Sequence, residues 1–388
     1  MALKRYRQVA AGRRLPVYMR SNRTMLDIGD LHQLSTEDLW SVHDCADSVL
    51  KRSSRCNTNS ASLLDVKIEL ASRMLGECRL CERKCGVDRR GGQAGFCGVG
   101  SRSSYFFEQI LWGEEPPLVP SHEVFLSGCN LRCKYCYSWE SLLDPQRGTL
   151  LDPNEFAALI SSRRTEGAMN LNLIGGEPTV HLPSILASLK LADKPTAIVW
   201  NSNFYMSGET MRLLDGMVDL YLGDFRFGND DCASRIGKVN GYMATAKRNF
   251  AAAAQSADLV IRHLVLPGHI ECCLRPVAKW VAENMADVPF NLMFQYTPFF
   301  EALDDPELCR SLTTDEEAAA TEIVASLGLN TRKWKQPLKR YPSAGKIGSG
   351  GISTTITIRP DGQIGIMHLH SELLDIVGSL TNGGNPDD

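Results

Sequence analysis

Seven of the thirteen cysteines in this 388-residue chain fall into two tight groups: Cys78, Cys81, Cys85 and Cys97, then Cys129, Cys133 and Cys136. Grouped thiolates in a reducing compartment point to metal rather than to disulfides. The second group, in GCNLRCKYCYSW (residues 128–139), has gaps of three and two residues and aromatic neighbours. Structural zinc wants four ligands, and a cubane iron–sulfur cluster wants one per iron. Three closely spaced thiolates fit a cubane with one iron lacking a protein ligand, and an open coordination position is where chemistry happens. A zinc ion completed by a distant histidine is the other reading. The first group is complete in itself. Four thiolates between Cys78 and Cys97, with glycines that let the loop wrap, bind either a [4Fe–4S] cluster or Zn²⁺, the compact Cys78-x2-Cys81-x3-Cys85 favouring the cluster. The other cysteines (Cys45, Cys56, Cys232, Cys272, Cys273, Cys309) are scattered, and single thiols are the default for them.

Composition narrows the setting. The apolar share is 43%, and net charge is −3 from 42 basic and 45 acidic residues, so no global field recommends nucleic acid. The segment Met1 to Leu26 holds seven Lys or Arg and no acid, and reads as a solvated basic arm. It lacks the apolar core of a signal peptide, and no apolar run approaches the ~20 residues that span a bilayer. With the odd cysteine count, this places the chain in the cytoplasm.

The elements that must position the cysteines follow from periodicity. Residues 1–75 carry short helical patterns, including STEDLWSVHDCADSVLKR with Ser35 as its N-cap. Residues 76–121 hold the four cysteines and a proline-rich connector, GEEPPLVPSH. From residue 122 to about 330, short β-type runs alternate with amphipathic ones. The runs are EVFLSG, NLNLIGG, TAIVWN, VDLYLGD, LVIRHLV and FNLMFQY. Continuous apolar strands between helices imply a parallel sheet covered on both faces, with right-handed crossovers. Six such units make an open doubly wound sheet or an incomplete (β/α)6 TIM-like barrel. Residues 331–380 form an extension in which ISTTITIRPDGQIGIMHLH reads as a β-hairpin, and residues 381–388 a disordered tail. The three-cysteine loop directly follows the first barrel strand, and loops at that end of parallel strands form sites.

Cys129-x3-Cys133-x2-Cys136, with Tyr135 before the last cysteine, resembles the signature of the radical S-adenosylmethionine (radical SAM) superfamily. The resemblance implies that the amino and carboxylate groups of SAM chelate the open iron. It also implies reductive cleavage to methionine and a hydrogen-abstracting 5′-deoxyadenosyl radical. GGEP (Gly175, Gly176, Glu177, Pro178) ends the second strand and resembles the family segment that binds the SAM amino group.

A closer resemblance is to activating enzymes of glycyl-radical proteins, of the pyruvate formate-lyase activating type, and to relatives with an N-terminal cysteine segment. It implies that Arg226 in DFRF and Arg262 in IRHLVLPG approach SAM. NSNF (Asn201 to Phe204) stands where activating enzymes carry Asp-Thr-Asn-Gly. There the Asp, with the residue matching Asp224, helps to hold a monovalent cation; here Asn201 replaces the acid and Phe204 the glycine. On the residues alone, Arg226 and Arg262 are also readable as structural ion pairs. Asn201 and Asn203 are readable as turn residues, and Trp200 as core. His368 and His370 share one strand face and read as structural or exposed, and His263 as a packed histidine. Gln295 and Tyr296, ending the sixth strand, are positioned to touch a substrate. GKIGSGG (Gly345 to Gly351) lacks the Lys-Ser/Thr pair of a phosphate loop.

The expectation is therefore a radical SAM enzyme with a three-cysteine [4Fe–4S] cluster, SAM, and a second [4Fe–4S] cluster or Zn at the N-terminal cysteines. Flavodoxin or ferredoxin would supply electrons, with no nucleic acid or membrane partner. The substrate is a residue of a partner protein or a small biosynthetic molecule. A non-catalytic iron–sulfur or zinc regulator would explain the cysteines but not GGEP or the arginines.

Overall fold

Six parallel strands carry the molecule: β1 (Ser121–Leu126), β2 (Asn170–Gly175), β3 (Ala197–Ser202), β4 (Leu220–Asp224), β5 (Asp258–Leu264) and β6 (Phe290–Met293). They belong to the computed structural model of the chain, which describes residues 3–52, 61–329, 331, 355–358 and 364–367. The chain divides into two compact units: residues 1–110 with 120–333, and 111–119 with 334–388. In the second unit, Thr355–Ile358 and Ile364–Met367 pair antiparallel, the expected hairpin. The turn between them, Gly345 to Gly351, His368, His370 and the 381–388 tail lie outside the described residues.

In the first unit, hydrogen-bonded neighbours run in chain order from β1 to β6. A doubly wound sheet reverses its order at a switch point; this one does not, and follows the sequence of a barrel. It is not closed. Beyond β1 lie Ser104–Leu111 and the short Thr149–Leu150, which pair antiparallel with each other, and β6 forms the other edge. The register brings Val124, Leu173, Trp200, Tyr221 and Leu259 side by side, all buried, so Trp200 is core as expected.

Between the strands run α1 (Pro153–Thr165), α2 (Leu182–Leu191), α3 (Gly208–Leu214), α4 (Asp230–Gly237), α5 (Tyr242–Ser256) and α6 (Arg275–Asn284), with α7 (Thr314–Ser326) after β6. Local chemistry sets where they begin. Asp152 accepts from Asn154 N and Glu155 N with Pro153 in the first turn, and Thr313 and Glu316 form a capping box. Such caps stabilise by about 1 kcal/mol each. Two details differ from the periodicity. Helix α4 was not foreseen, and the run from Ile270 splits into a π turn (Ile270–Leu274) ahead of α6.

The expectation of a solvated basic arm is corrected. Residues Lys4–Ala10 and Val17–Arg23 are helices that bury Tyr6, Val9, Val17 and Tyr18. They pack at the N-terminal ends of the strands. Tyr6 N donates to Asp258, Val17 N to Asp219, and Asn170 Nδ2 to the Tyr6 hydroxyl at 2.7 Å. The apolar residues between the basic ones form buried stripes. Among the basic side chains, Arg5 donates to Ser256 O at 2.9 Å. No described helix is long and apolar enough to cross a membrane.

Candidate active site

The loop from Ser127 to Ser138 leaves the C-terminal end of β1 and carries Cys129, Cys133 and Cys136. Hydrogen bonds to its backbone hold it at its start and its middle. His181 Nε2 donates to Ser127 O at 2.5 Å, while Arg132 N and Lys134 N donate to Gly237 O and Ile236 O at the end of α4. Burial pushes the His181 pKa down to about 3, so this imidazole is a neutral donor at ordinary pH.

The Gly-Gly-Glu turn after β2 is pressed against this loop. Gly175 has φ +106°, and a Cβ there would lie 2.4 Å from Leu126 N; one on Gly176 would lie 1.9 Å from Gly128 O. Only glycine fits either position. Glu177 is fully buried, but its carboxylate turns inward. It accepts from Thr179 N (3.2 Å), Thr179 Oγ1 (2.5 Å), Ser202 Oγ (2.8 Å) and Asn203 N (3.0 Å). Burial raises its pKa against these four donors. Glu177 therefore ties the end of β2 to the end of β3, and an ammonium would have to share that carboxylate.

Three N–H donors converge on the sulfurs. Leu131 N lies 3.4 Å and Asn203 Nδ2 3.6 Å from Cys129 Sγ, and Arg226 Nη1 3.8 Å from Cys133 Sγ. Asn203 also donates to Asn130 Oδ1 at 2.7 Å, and Tyr135 is buried beside Arg226 and edge-on to Tyr296. Burial pushes all three thiols up, Cys136 to about 12; at Cys133 the Arg226 guanidinium pulls the other way.

Arg226 and Arg262 share one carboxylate. Asp224 Oδ2 accepts from Arg226 Nη2 at 2.7 Å and Oδ1 from Arg262 Nε at 2.8 Å, while Arg262 Nη2 donates to Asn201 Oδ1 at 2.6 Å. Burial would raise the Asp224 pKa; the two guanidiniums hold it below the usual carboxylate range. An acid neutralised twice leaves little charge for a monovalent cation, in keeping with Asn201 in place of the second acid. Phe204, which stands in place of the glycine of the resembling segment, takes the left-handed conformation (φ +61°) that favours glycine, and stacks on Phe250 at 4.0 Å.

Gln295 and Tyr296 differ in exposure. Tyr296 is buried and its hydroxyl donates to Leu308 O at 2.7 Å; it and Gln295 lie beyond the end of β6, and only Gln295 is exposed. His263 donates to Phe225 O and is packed, as expected. His181, Asn130 and Tyr242 were missed. The Tyr242 hydroxyl accepts from Arg226 N and donates to Asp224 O, both at 3.0 Å.

Cys78, Cys81 and Cys97 are buried and Cys85 exposed, and Cys81 lies close enough to the other three to feel their charge. A Cβ on Gly95 would lie 2.4 Å from Cys85 Sγ, so the loop does wrap as the glycines suggest. This segment touches the three-cysteine loop directly. A Cβ on Gly128 would meet Cys97 O at 2.8 Å, and Arg83 donates to Asn130 O while lying over the Phe96 ring.

The three-cysteine site fits a thiolate-held anionic cluster. Three donors aim at its sulfurs, and Arg226 Nε is buried without a hydrogen-bond partner among the described residues. Hydrogen bonds and cations near sulfur are what such clusters require.

Comparison with known proteins agrees. The family model described as the Radical SAM superfamily matches residues 124–281. The uncharacterized protein MJ0674 of Methanocaldococcus jannaschii is 36% identical over 319 residues, 79% of this chain and 92% of that protein. Among solved structures, Streptococcus suis SuiB bound to S-adenosylmethionine is similar at TM-score 0.39 and 12% identity, over 51% of this chain and 44% of SuiB. HydG, a maturase of the [FeFe]-hydrogenase, is similar at TM-score 0.39 and 11% identity, over 78% of this chain and 63% of HydG. The chain thus spans less than two thirds of either solved protein. It belongs to the radical SAM superfamily, whose members are enzymes that carry a [4Fe–4S] cluster and bind SAM.

Proposed function

We propose that Cys129, Cys133 and Cys136 hold the catalytic cluster and that the enzyme acts on a residue of a partner protein, in the manner of activating enzymes. The convergence of Asn203, Leu131 and Arg226 on the cysteine sulfurs carries the first part; the arginines at the ends of β4 and β5, where the activating-enzyme resemblance puts them, support the second. When bound, a reduced cluster would supply the one electron that cleaves SAM into methionine and a 5′-deoxyadenosyl radical able to abstract hydrogen.

The chain's own groups do the positioning. Asp224 fixes the forks of Arg226 and Arg262, leaving Arg226 Nη1 against Cys133 and its charge available to the SAM carboxylate. Glu177 holds the β2 and β3 loops in register, and buried Tyr135 keeps water from the sulfurs. The four-cysteine segment, in contact with Gly128 and Asn130, would hold a second cluster through Cys78, Cys81, Cys85 and Cys97 and so would offer flavodoxin or ferredoxin an electron entry beside the catalytic loop.

The test is 5′-deoxyadenosine formation by the reduced, reconstituted protein. Cys133→Ala should abolish it and remove about four irons per chain; full activity would refute the assignment. Deuterium carried into deoxyadenosine from labelled macromolecules, and not from labelled small metabolites, is expected for a protein substrate. The reverse would replace that reading with biosynthetic chemistry.

A further inference from the structure

We infer that Cys232, His269, Cys272 and Cys273 form a structural zinc site, separate from both cysteine groups recognised in the sequence. One ligand atom from each lies within 4.8 Å of the others. Cys232 Sγ is 3.8 Å from Cys272 Sγ and 3.6 Å from His269 Nδ1, and His269 Nδ1 is 3.1 Å from Cys272 Sγ. Zn–S bonds of about 2.3 Å and Zn–N bonds of about 2.0–2.1 Å around a tetrahedral centre give S···S edges of about 3.8 Å and S···N edges of about 3.5 Å. Two of the three separations match those edges. A disulfide needs sulfurs about 2.05 Å apart and would leave a third thiol and the imidazole unused. A cluster of several irons spreads its ligands more widely than this group allows. Three thiolates and one imidazole, with no position left open, is the donor set of structural zinc.

The surrounding chain is built for it. Asn229 caps α4 by accepting from Cys232 N at 2.7 Å, and its Nδ2 lies 3.3 Å from Cys232 Sγ and donates to Cys272 O at 2.7 Å. His269 directly precedes the π turn Ile270–Leu274, which carries Cys272 and Cys273; such wide turns recur at functional sites. A Cβ on Gly228 would lie 2.3 Å from Cys273 O, so the two loops approach as only glycine permits. With Nδ1 toward the sulfurs, His269 Nε2 faces Glu307 at 3.4 Å, and Arg235 holds Glu307 at 2.6 Å. A carboxylate behind a metal-binding imidazole sets its tautomer and orientation. The site ties the loop after β4, which carries Arg226, to the loop after β5.

The experiment measures zinc and iron per chain in the full-length, anaerobically reconstituted protein, with zinc X-ray absorption. Cys232→Ser and the half-exposed Cys272→Ser should each lose one zinc and keep their iron; Cys309→Ser, outside the cluster, should lose neither. His269→Cys guards against misfolding. It should keep its zinc and lose the imidazole scattering seen in the wild type. Zinc content unchanged in both serine variants, a wild-type zinc spectrum without imidazole, or a Cys232–Cys272 disulfide in peptide maps would each overturn the site. Iron content reports the catalytic cluster separately, so the two assignments fail independently.

Discussion

Arg226 is the residue on which the geometry of the catalytic site concentrates. Its guanidinium reaches Asp224 on one side and Cys133 Sγ on the other, and its backbone N–H is held by Tyr242. Removing a hydrogen-bonding cation from beside a cluster thiolate lowers the reduction potential, and loss of such supporting contacts typically costs 10–100-fold. Arg226→Gln should therefore bind a full complement of iron, with a lower midpoint potential. Deoxyadenosine formation should be slower by about 10–100-fold, read by redox titration and product assay. Arg226→Lys keeps the charge but loses the two-pronged geometry, and should recover only part of the rate. A wild-type rate in Arg226→Gln would return this arginine to a purely structural ion pair. Phe204 poses a different question, because a bulky residue sits where φ is +61°. Phe204→Ala should cost about 3–5 kcal/mol by emptying the stack on Phe250. Phe204→Gly, though smaller, should be more stable than the alanine variant by about 1 kcal/mol, because glycine alone relieves the backbone strain. Denaturant titration of the two variants checks the order.

Among the elements, the strand Ser104–Leu111 is tied to the parallel sheet by a half-buried carboxylate. Glu108 accepts from His122 Nε2 at 2.9 Å and from Arg163 at 2.5 and 3.0 Å. Burial alone would raise its pKa, but these hydrogen bonds prevail and hold it near about 2, against 4.5 for a free glutamate. A carboxylate with a depressed folded-state pKa stabilises above its unfolded value and loses that stabilisation as pH falls through the folded one. Glu108→Gln should therefore be less stable than wild type near pH 7, by on the order of 1–3 kcal/mol. The gap should narrow as pH falls from about 4.5 toward about 2; a gap independent of pH would mean that shape and not charge is responsible. The elements also show what a sequence makes visible. All six barrel strands and the loop of Cys129, Cys133 and Cys136 were legible, because each is written in a contiguous run of residues. The role of Asp224 as a bridge was not, because it depends on β4 and β5 lying in register, Asp224 opposite Arg262. Nor was the docking of the N-terminal helices, since charge counting ignores the partners that Asp258 and Asp219 supply. Cys232 and the His269–Cys273 turn were hidden for the same reason: neighbouring strand ends, and not neighbouring positions, bring them together.

For the whole molecule, the candidate metal ligands fall into three groups. The three-cysteine loop, the four-cysteine segment and the Cys232 group belong to one compact unit, and the first two are in direct contact through Gly128 and Arg83. If the four-cysteine segment holds a cluster, the reconstituted chain contains about eight irons and one zinc; if it holds zinc, about four irons and two zincs. Cys81→Ser separates the roles further. Cys81 is buried and lies outside the three-cysteine loop, so Cys81→Ser removes a thiolate of the four-cysteine site and none of the catalytic one. A relay lost in this way leaves a catalytic cluster that small reductants still reach and a protein donor does not. Deoxyadenosine formation driven by dithionite should then persist, while formation driven by flavodoxin or ferredoxin falls by at least tenfold. Equal losses with both reductants would show that the segment supports the fold of the catalytic loop and carries no electrons. Equal retention would show that electrons enter elsewhere.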